Sequence, residues 1–455
     1  MNHKRIPFFL IVLLTFGILL AACGGQTVEE TDSTTTETGE GAGSGDLDSA
    51  TGSERAGSEP PASPSGGVKV AGTRAPADTA VSEVIAAGES AEMAFADDGE
   101  IRAASGEPAI QPNSALNAGE VDDNADWDDY LLYLRDYAGA AVIEVDVSQR
   151  YQIFVRDSQG NPVLAARLAV KVNGQTIATL RTHSDGRAYF FPGAYDVAAD
   201  EYEIVVTVNG RDETFTIPAD SSQREWEIKH TGGDQGTAVT QLDVLFLIDA
   251  TGSMADEINQ LKDNIQAISA QIDALPSQPN VRFGMVTYRD KGDDFITNLF
   301  DFTPEVNEFA ADLNTVFADG GGDYPEDLNE ALFQAIHTPE WRVDNTVSLI
   351  FLVADAPPHL DYGQQNHYAS EMLNAAARGI KIYPIASSGL DSQGEYVFRQ
   401  LAQVTGGRFI FLTYGAGGPG TSGTETEFNV EDYTVSALDQ LVVKIVEEEL
   451  AFLAP

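Results

Sequence analysis

The sequence predicts an α/β protein in which a doubly wound sheet domain closes the chain, preceded by an all-β sandwich and a disordered N-terminal tether. Three observations carry this. From Gln241 onward, continuous apolar runs (LDVLFLID, RFGMVTY, SLIFLVAD, IKIYPIAS, GRFIFL) alternate with amphipathic segments, as in parallel strands covered by helices on both faces. Between residues 140 and 230 apolar residues recur with period two, broken at short intervals by turn signals such as DSQGNP, VNG, HSDGR and VNGRD. From Gly24 to residue 66 large apolar residues almost vanish, so that stretch cannot bury enough surface to fold.

The chain has 455 residues, enough for more than one domain, and sets 26 Lys and Arg against 71 Asp and Glu for a formal charge of -45. Such a surface repels phosphate backbones and argues against nucleic acid as a partner. At the start, Lys4 and Arg5 precede an apolar run from Ile6 to Ala22, interrupted by Pro7 and Gly17. A charged segment, an apolar core and a small-residue end make a secretory signal, and the run is short for a membrane-spanning helix. Its last residues, Leu20-Ala21-Ala22-Cys23, resemble the lipobox of bacterial lipoproteins. The resemblance implies cleavage before Cys23, acylation of that cysteine, and an extracytoplasmic protein held on the cell envelope membrane by its N-terminal lipid. Cys23 is the sole cysteine, so neither domain depends on an internal disulfide. Residues 1–22 thus read as signal peptide and 23–124 as a lipidated, mostly disordered linker. A flexible coil of about a hundred residues reaches roughly 55 Å, which would hold the folded part clear of the membrane.

Residues 125–232 read as the sandwich with a short helix before it. In WDDYLLYLRDYAG, Trp127, Tyr130, Leu131 and Leu134 share one side at helical spacing, with LNAGEVDDNADW as the capped approach to that helix. Then AVIEVDV, YQIFVRD, ARLAVKV, QTIATLRT, RAYFFP, EYEIVVTV, ETFTIP and EWEIKH alternate as short strands of an antiparallel sandwich. Asp157, Gly160 and Pro162 in one turn, then Thr182, Asp185, Gly186 and Phe190 in the next element, resemble the carboxypeptidase-regulatory-like family of β sandwiches. That resemblance implies a spacer or stalk. Asp157 and Asp185 suit turns that bond their own backbone better than they suit calcium ligation.

A Gly/Thr linker, 231–240, leads to the final domain, 239–455. After the strand LDVLFLID, Ile258, Leu261, Ile265, Ile268 and Ile272 recur at helical spacing. Further amphipathic segments fall around 305–317, 326–336, 368–378 and 395–404, and VSALDQLVVKIVEEELAF closes the chain as a helix. DFITNLFDF, after a short polar loop, fits an antiparallel edge strand. GAGGPGTSGTE, 415–425, reads as a surface excursion. In such sheets ligands bind at the carboxyl ends of the strands.

There LDVLFLID leaves Asp249, with Thr251 and Ser253 at alternate positions in the turn that follows. Alternate oxygens in a tight turn can converge on one hard cation such as magnesium. A competing role for Ser253 is a capping box with Asp256. Two other loops supply acids to the same sheet end: Asp355 closes SLIFLVAD, and GGGDYPEDLNEAL carries Asp323, Glu326 and Asp327. This pattern resembles the von Willebrand factor type A domain, a Rossmann-like fold, over about 215 residues from Gln241 to the end. DATGS fits that family's D-x-[ST]-x-S motif, the metal-ion-dependent adhesion site. The resemblance implies a divalent cation, magnesium first and calcium or manganese as alternatives, held by Asp249, Thr251, Ser253 and Asp355. It also implies a protein partner that offers a carboxylate to the cation, hence adhesion or cell-surface scaffolding. One departure stands out: many members carry a threonine in the second loop, where GGGDYPE has no hydroxyl. Asp323 is the first candidate to replace it and Glu326 the alternative.

Two other functions were weighed. A metal-independent envelope scaffold would leave the three oxygens as turns and caps. A metal-dependent hydrolase fits less well, since Thr251 stands where Asp-x-Asp phosphatases carry their second acid, and GSMA is not a nucleophile elbow. His359, in DAPPHLDY, is the histidine nearest the cluster and is expected to shape its loop or touch a partner. Arg289 and Asp290 are expected to form an internal ion pair.

Overall fold

A computed structural model describes residues 117–453, except 198, 233–239, 416–417, 423–425, 427 and 429–433. The segments up to residue 116 expected to be a signal peptide and a tether, with Cys23, lie outside the described residues. Among those described, no helix is long and apolar enough to cross a membrane.

The first element, β1 (Asn117–Val121), is followed by helix α1 (Trp127–Asp136). The sandwich then comprises β2 (Tyr151–Arg156), β3 (Arg167–Val172), β4 (Gln175–Arg181), β5 (Arg187–Phe190), β6 (Glu201–Val208), β7 (Arg211–Pro218) and β8 (Glu225–Lys229). Its two sheets have the orders β5-β2-β8 and β4-β3-β6-β7. Alternation sends Tyr151, Ile153 and Val155 of β2, and Tyr202, Ile204 and Val206 of β6, into a core shared with Leu168, Val170 and Phe190.

Two expectations for this region are corrected. The sandwich is not wholly antiparallel, because β8 runs parallel to β2, with the Gln152 N–H donating to the Arg224 carbonyl at 2.8 Å. AVIEVDV, 141–147, forms no strand. The Tyr368 hydroxyl instead takes up the main chain of Ile143, accepting from its N–H at 2.8 Å and donating to its carbonyl at 2.9 Å. As read from the sequence, Asp157 and Asp185 serve their own turns. Asp157 accepts from the N–H groups of Gln159 and Asn161, each at 2.8 Å, and Asp185 accepts from that of Arg187 at 2.9 Å.

The C-terminal domain runs β9 (Gln241–Asp249), α2 (Ala255–Asp273), β10 (Asn280–Tyr288), β11 (Thr297–Thr303), α3 (Val306–Leu313), α4 (Leu328–His337) and β12 (Thr346–Ala354). It continues with α5 (Tyr368–Arg378), β13 (Ile380–Ala386), α6 (Ser392–Thr405), β14 (Phe409–Gly415), β15 (Gly418–Ser422), β16 (Thr434–Ala437) and α7 (Leu438–Ala451). The sheet order is β11-β10-β9-β12-β13-β14-β1-β16, with β15 paired to the end of β14. From β10 to β14 the strands are parallel, and β11 is the antiparallel edge that the sequence predicts. β9 divides its residues between two cores. Leu242, Val244, Phe246 and Ile248 face α2 through Ile258, Ile265, Ile268 and Ile272. Leu245 and Leu247 face α4, α5 and α6 through Leu332, Ile336, Met372 and Leu401.

β1 was expected to belong to the tether. It instead lies antiparallel between β14 and β16, inside the sheet of the last domain. Charge fixes it there: Glu120 on β1 meets Lys444 at 2.5 Å and Arg408 at 3.2 Å. Next along the chain, Asp123 binds Arg399 of α6 at 2.5 Å. The sandwich is thus flanked in sequence by pieces of a single sheet. It also touches that domain directly, where Ser184 donates to the buried Glu449 of α7 at 2.5 Å.

Candidate metal centre

β9, β10 and β12 end together, and each hands an acidic residue to the loop that leaves it. Asp249 is fully buried, and its Cα is in register with Tyr288 on β10. Its Oδ1 accepts from both the N–H (2.9 Å) and the hydroxyl (2.7 Å) of Thr251. Its Oδ2 is buried with no hydrogen bond of ordinary geometry, as is the neighbouring Tyr288 hydroxyl. Ser253 is exposed in a 3-10 turn (Gly252–Met254) and its hydroxyl turns to Asp355. Helix α2 begins later, behind Met254, with no side-chain cap, so Ser253 does not make the capping box with Asp256.

The second loop is drawn in by its backbone. The Gly252 N–H donates to the Gly320 carbonyl at 3.3 Å, and the Asp319 N–H to that of Ala250 at 3.1 Å. Gly321 has φ +78°, and a Cβ there would meet the Thr251 Cβ and Glu326 Oε1, each at 3.0 Å. Only glycine allows that passage. Glu326 is then clamped to the third loop, its N–H donating to the Pro357 carbonyl at 3.0 Å and its carbonyl accepting from the His359 N–H at 3.1 Å. That clamp holds Glu326 in the interior, 3% exposed and with Oε2 unpartnered.

Glu326 and Asp323 therefore occupy different places. The charges acting most on Glu326 are Asp249, Asp290, Asp293 and Asp355, all of its own sign. The side chain of Asp323 is 65% exposed and lies near Asp290 and His359. Asp327 serves the helix, its Oδ1 accepting from the Glu330 N–H as the cap of α4 at 3.3 Å and from Gln364 at 2.6 Å.

Ionisation at this end follows from burial without counter-charge. Burial pushes Asp249 up to about 7 against the Thr251 hydrogen bonds. Burial, then repulsion from Asp249 and Asp290, pushes Glu326 up to about 9. Asp355 is also raised by burial, opposed by Ser253, and Glu257 beside it is raised to about 7, again chiefly by burial. Buried carboxylates in proteins are normally paired or coordinate a metal. Unpartnered oxygens and hydroxyls at alternate positions, with no basic side chain among the described residues paired to these carboxylates, suit a hard cation's donor set.

The ion pair expected between Arg289 and Asp290 does not form. Arg289 is used to hold the loops, donating to the carbonyls of Ala250 (3.0 Å) and Phe317 (2.8 Å) while its guanidinium lies over Phe295. Asp290 accepts from Tyr362 at 2.5 Å. His359 directs its ring nitrogens to Asp361 and to the Asp290–Asp323 pair, whereas Ser253 faces Asp355. The part played by Asp290 was missed from the sequence, where it stood only as a partner for Arg289.

Residues 243–414 match the von Willebrand factor A domain family. Among curated proteins, the chain is 27% identical over 188 residues to a putative ariadne-like RING finger protein of Acanthamoeba polyphaga mimivirus, covering 38% of this chain and 18% of that one. It is 28% identical over 173 residues to an alpha-protein kinase of Dictyostelium discoideum, covering 37% and 27%. With von Willebrand factor A domain-containing protein 7 of Mus musculus it shares 36% identity over 114 residues, covering 25% and 12%. The chain thus spans about a quarter or less of the length of these relatives. By that match, residues 243–414 form a von Willebrand factor A domain within a mixed α/β fold.

Proposed function

We propose that this protein is a non-catalytic binding protein whose C-terminal domain holds a divalent cation and engages an acidic protein partner through it. The observation that carries the proposal is the group of buried, like-charged and partly unpartnered carboxylates, Asp249, Glu326 and Asp355, set beside the Thr251 and Ser253 hydroxyls. A magnesium ion bound there would offer a solvent-held coordination position as an acceptor for a partner's carboxylate. Asp249, Ser253 and Asp355 would hold the ion, Thr251 would orient Asp249, and Glu326 would supply the second-loop oxygen in place of Asp323. With Glu326 present, more of the ion's charge is cancelled inside the site. The cation is then held more firmly, while less positive charge faces a partner.

The N-terminal sequence supports a place for this activity. The LAAC stretch at Cys23 suits lipid anchoring on the outer face of a bacterial envelope membrane, with the N-terminal linker as the tether. A test uses the full-length chain on a sensor surface, probed with synthetic Asp-containing peptides and their Asn counterparts. We expect capture of Asp peptides in magnesium, loss in chelator, and loss in Asp249→Ala. Capture that ignores both the chelator and the mutation would move the function to a metal-independent scaffold.

A further inference from the structure

Beside the Asp249 group lies a second convergence, built from three different loops. His359 is 5% exposed and Asp290 4% exposed. The Nε2 of His359 sits 3.7 Å from Oδ1 of Asp290 and 3.7 Å from Oδ2 of Asp323. Both distances are too long for a hydrogen bond. Accordingly the buried Nε2 and the buried Asp290 Oδ1 each lack a hydrogen-bond partner. An imidazolium bridging two carboxylates would close on at least one of them, yet this ring stands back equally from both.

The remaining atoms of these side chains are already committed. His359 Nδ1 lies 2.8 Å from Asp361 Oδ1, which assigns the ring proton to Nδ1 and leaves the Nε2 lone pair free. Asp290 Oδ2 accepts from the Tyr362 hydroxyl at 2.5 Å, leaving Oδ1 directed inward. The Tyr362 ring stacks on the imidazole, with centroids 3.9 Å apart and planes 10° from parallel, so one residue fixes both groups. A carboxylate on the far nitrogen of a histidine is the usual outer-shell support of a metal-binding imidazole.

From this we infer a second metal site, formed by His359 Nε2, Asp290 Oδ1 and Asp323 Oδ2, that takes a borderline transition cation of the zinc class. The three donor atoms lie within 4.8 Å of one another. Tetrahedral zinc with bonds of about 2.0 to 2.1 Å separates its ligands by roughly 3.3 Å, so each 3.7 Å His359–carboxylate pair must close by a few tenths of an ångström, and the Asp290 and Asp323 oxygens, within 4.8 Å of each other, by no more than about 1.5 Å. Asp323, with its side chain 65% exposed, is free to make these movements. An imidazole nitrogen suits zinc far better than magnesium or calcium, which separates this site from the oxygen-only group at Asp249. The fourth position would remain with solvent, because three protein ligands leave it open.

The test strips the full-length chain with chelator, dialyses it against zinc with magnesium in large excess, and measures bound zinc. Cobalt is then substituted to give visible d–d bands. We expect a single zinc per chain in the wild type and in Asp249→Ala, and its loss in His359→Ala and Asp323→Asn. Asp361→Asn should bind about ten- to a hundredfold more weakly. Since Asp323 is largely exposed, Asp323→Asn should melt like the chelated wild type, so its loss of zinc would not come from unfolding. Absence of bound zinc in the wild type would overturn the site. So would zinc retained by Asp323→Asn with unchanged affinity and cobalt spectrum, or zinc lost in Asp249→Ala but kept in Asp323→Asn.

Discussion

Asp243 and Asp249 stand at opposite ends of the same strand, β9, and both are fully buried. At the amino end, Asp243 receives Arg282 at 2.8 Å and Arg342 at 2.6 Å, and its Oδ2 also accepts the Arg342 N–H at 2.9 Å. At the carboxyl end, Asp249 receives no cation: Thr251 donates to Oδ1, and Oδ2 faces the Tyr288 hydroxyl without a hydrogen bond of ordinary geometry. Glu449 of α7 repeats the first solution. It is buried and bound by Lys381 at 2.6 Å, Tyr383 at 2.8 Å and Ser184 at 2.5 Å, with Lys381 holding its carboxyl below the ordinary value despite burial. At Asp243 and Glu449 the protein supplies the cation from its own chain. At the loops after β9 and β12 no such ion pair forms among the described residues, and the carboxyls there are either held protonated or, in the proposed reading, paired with a bound ion.

The sharpest way to break the contrast is to neutralise each end of β9. Asp243→Asn would strand two guanidinium groups whose side chains are only 19% and 18% exposed. Denaturant unfolding of the full-length chain should show a loss of about 3 kcal/mol, with or without magnesium. Asp249→Asn should do the opposite in chelator, adding on the order of 1 to 2 kcal/mol near pH 8, because an unpaired buried charge is removed. Magnesium should then stabilise the wild type and leave that variant unchanged. Equal destabilisation by the two substitutions in chelator would erase the distinction.

A smaller effect comes from pH. The unfolded chain loses the Asp249 and Glu326 protons near the ordinary values of 3.8 and 4.5, whereas the folded protein keeps them to about 7 and about 9. Between those limits the native state binds more protons, so stability falls as pH rises. The contribution is complete below about pH 4 and is lost as pH passes 7 and then 9. In chelator the melting temperature should fall from pH 5 to 9, less steeply in Glu326→Gln, and saturating magnesium should remove the difference. Parallel profiles for wild type and Glu326→Gln in chelator would show that Glu326 carries no raised pKa.

What was legible in the sequence follows from the range of the interactions. β9, β12 and β13 are buried on both faces, so their apolar runs announce them. DATGS places its oxygens within one turn, where spacing alone is informative. β1 has no such signal: NAGEV holds one large apolar residue, and its place depends on pairing with β14 and β16, far along the chain. The partners of Asp243 lie 39 and 99 residues away and leave no local pattern. The sequence reading puts Asp323 ahead of Glu326 and misses their different burial, because that comes from the Gly320 and Gly321 turns and from the main-chain clamp on Glu326. The Asp290–His359 convergence was equally hidden, since its members come from separate loops.

The most direct test of the central claim is calorimetric titration of magnesium into the full-length chain and into Asp249→Ala near pH 8. The full chain is needed because a fragment starting at the linker after the sandwich would lack β1, the strand between β14 and β16. Saturable binding in the wild type that disappears in the variant is the predicted result. Absence of binding by the folded wild type, or equal binding by both proteins, would contradict the account and leave Asp249, Thr251 and Ser253 as parts of a turn.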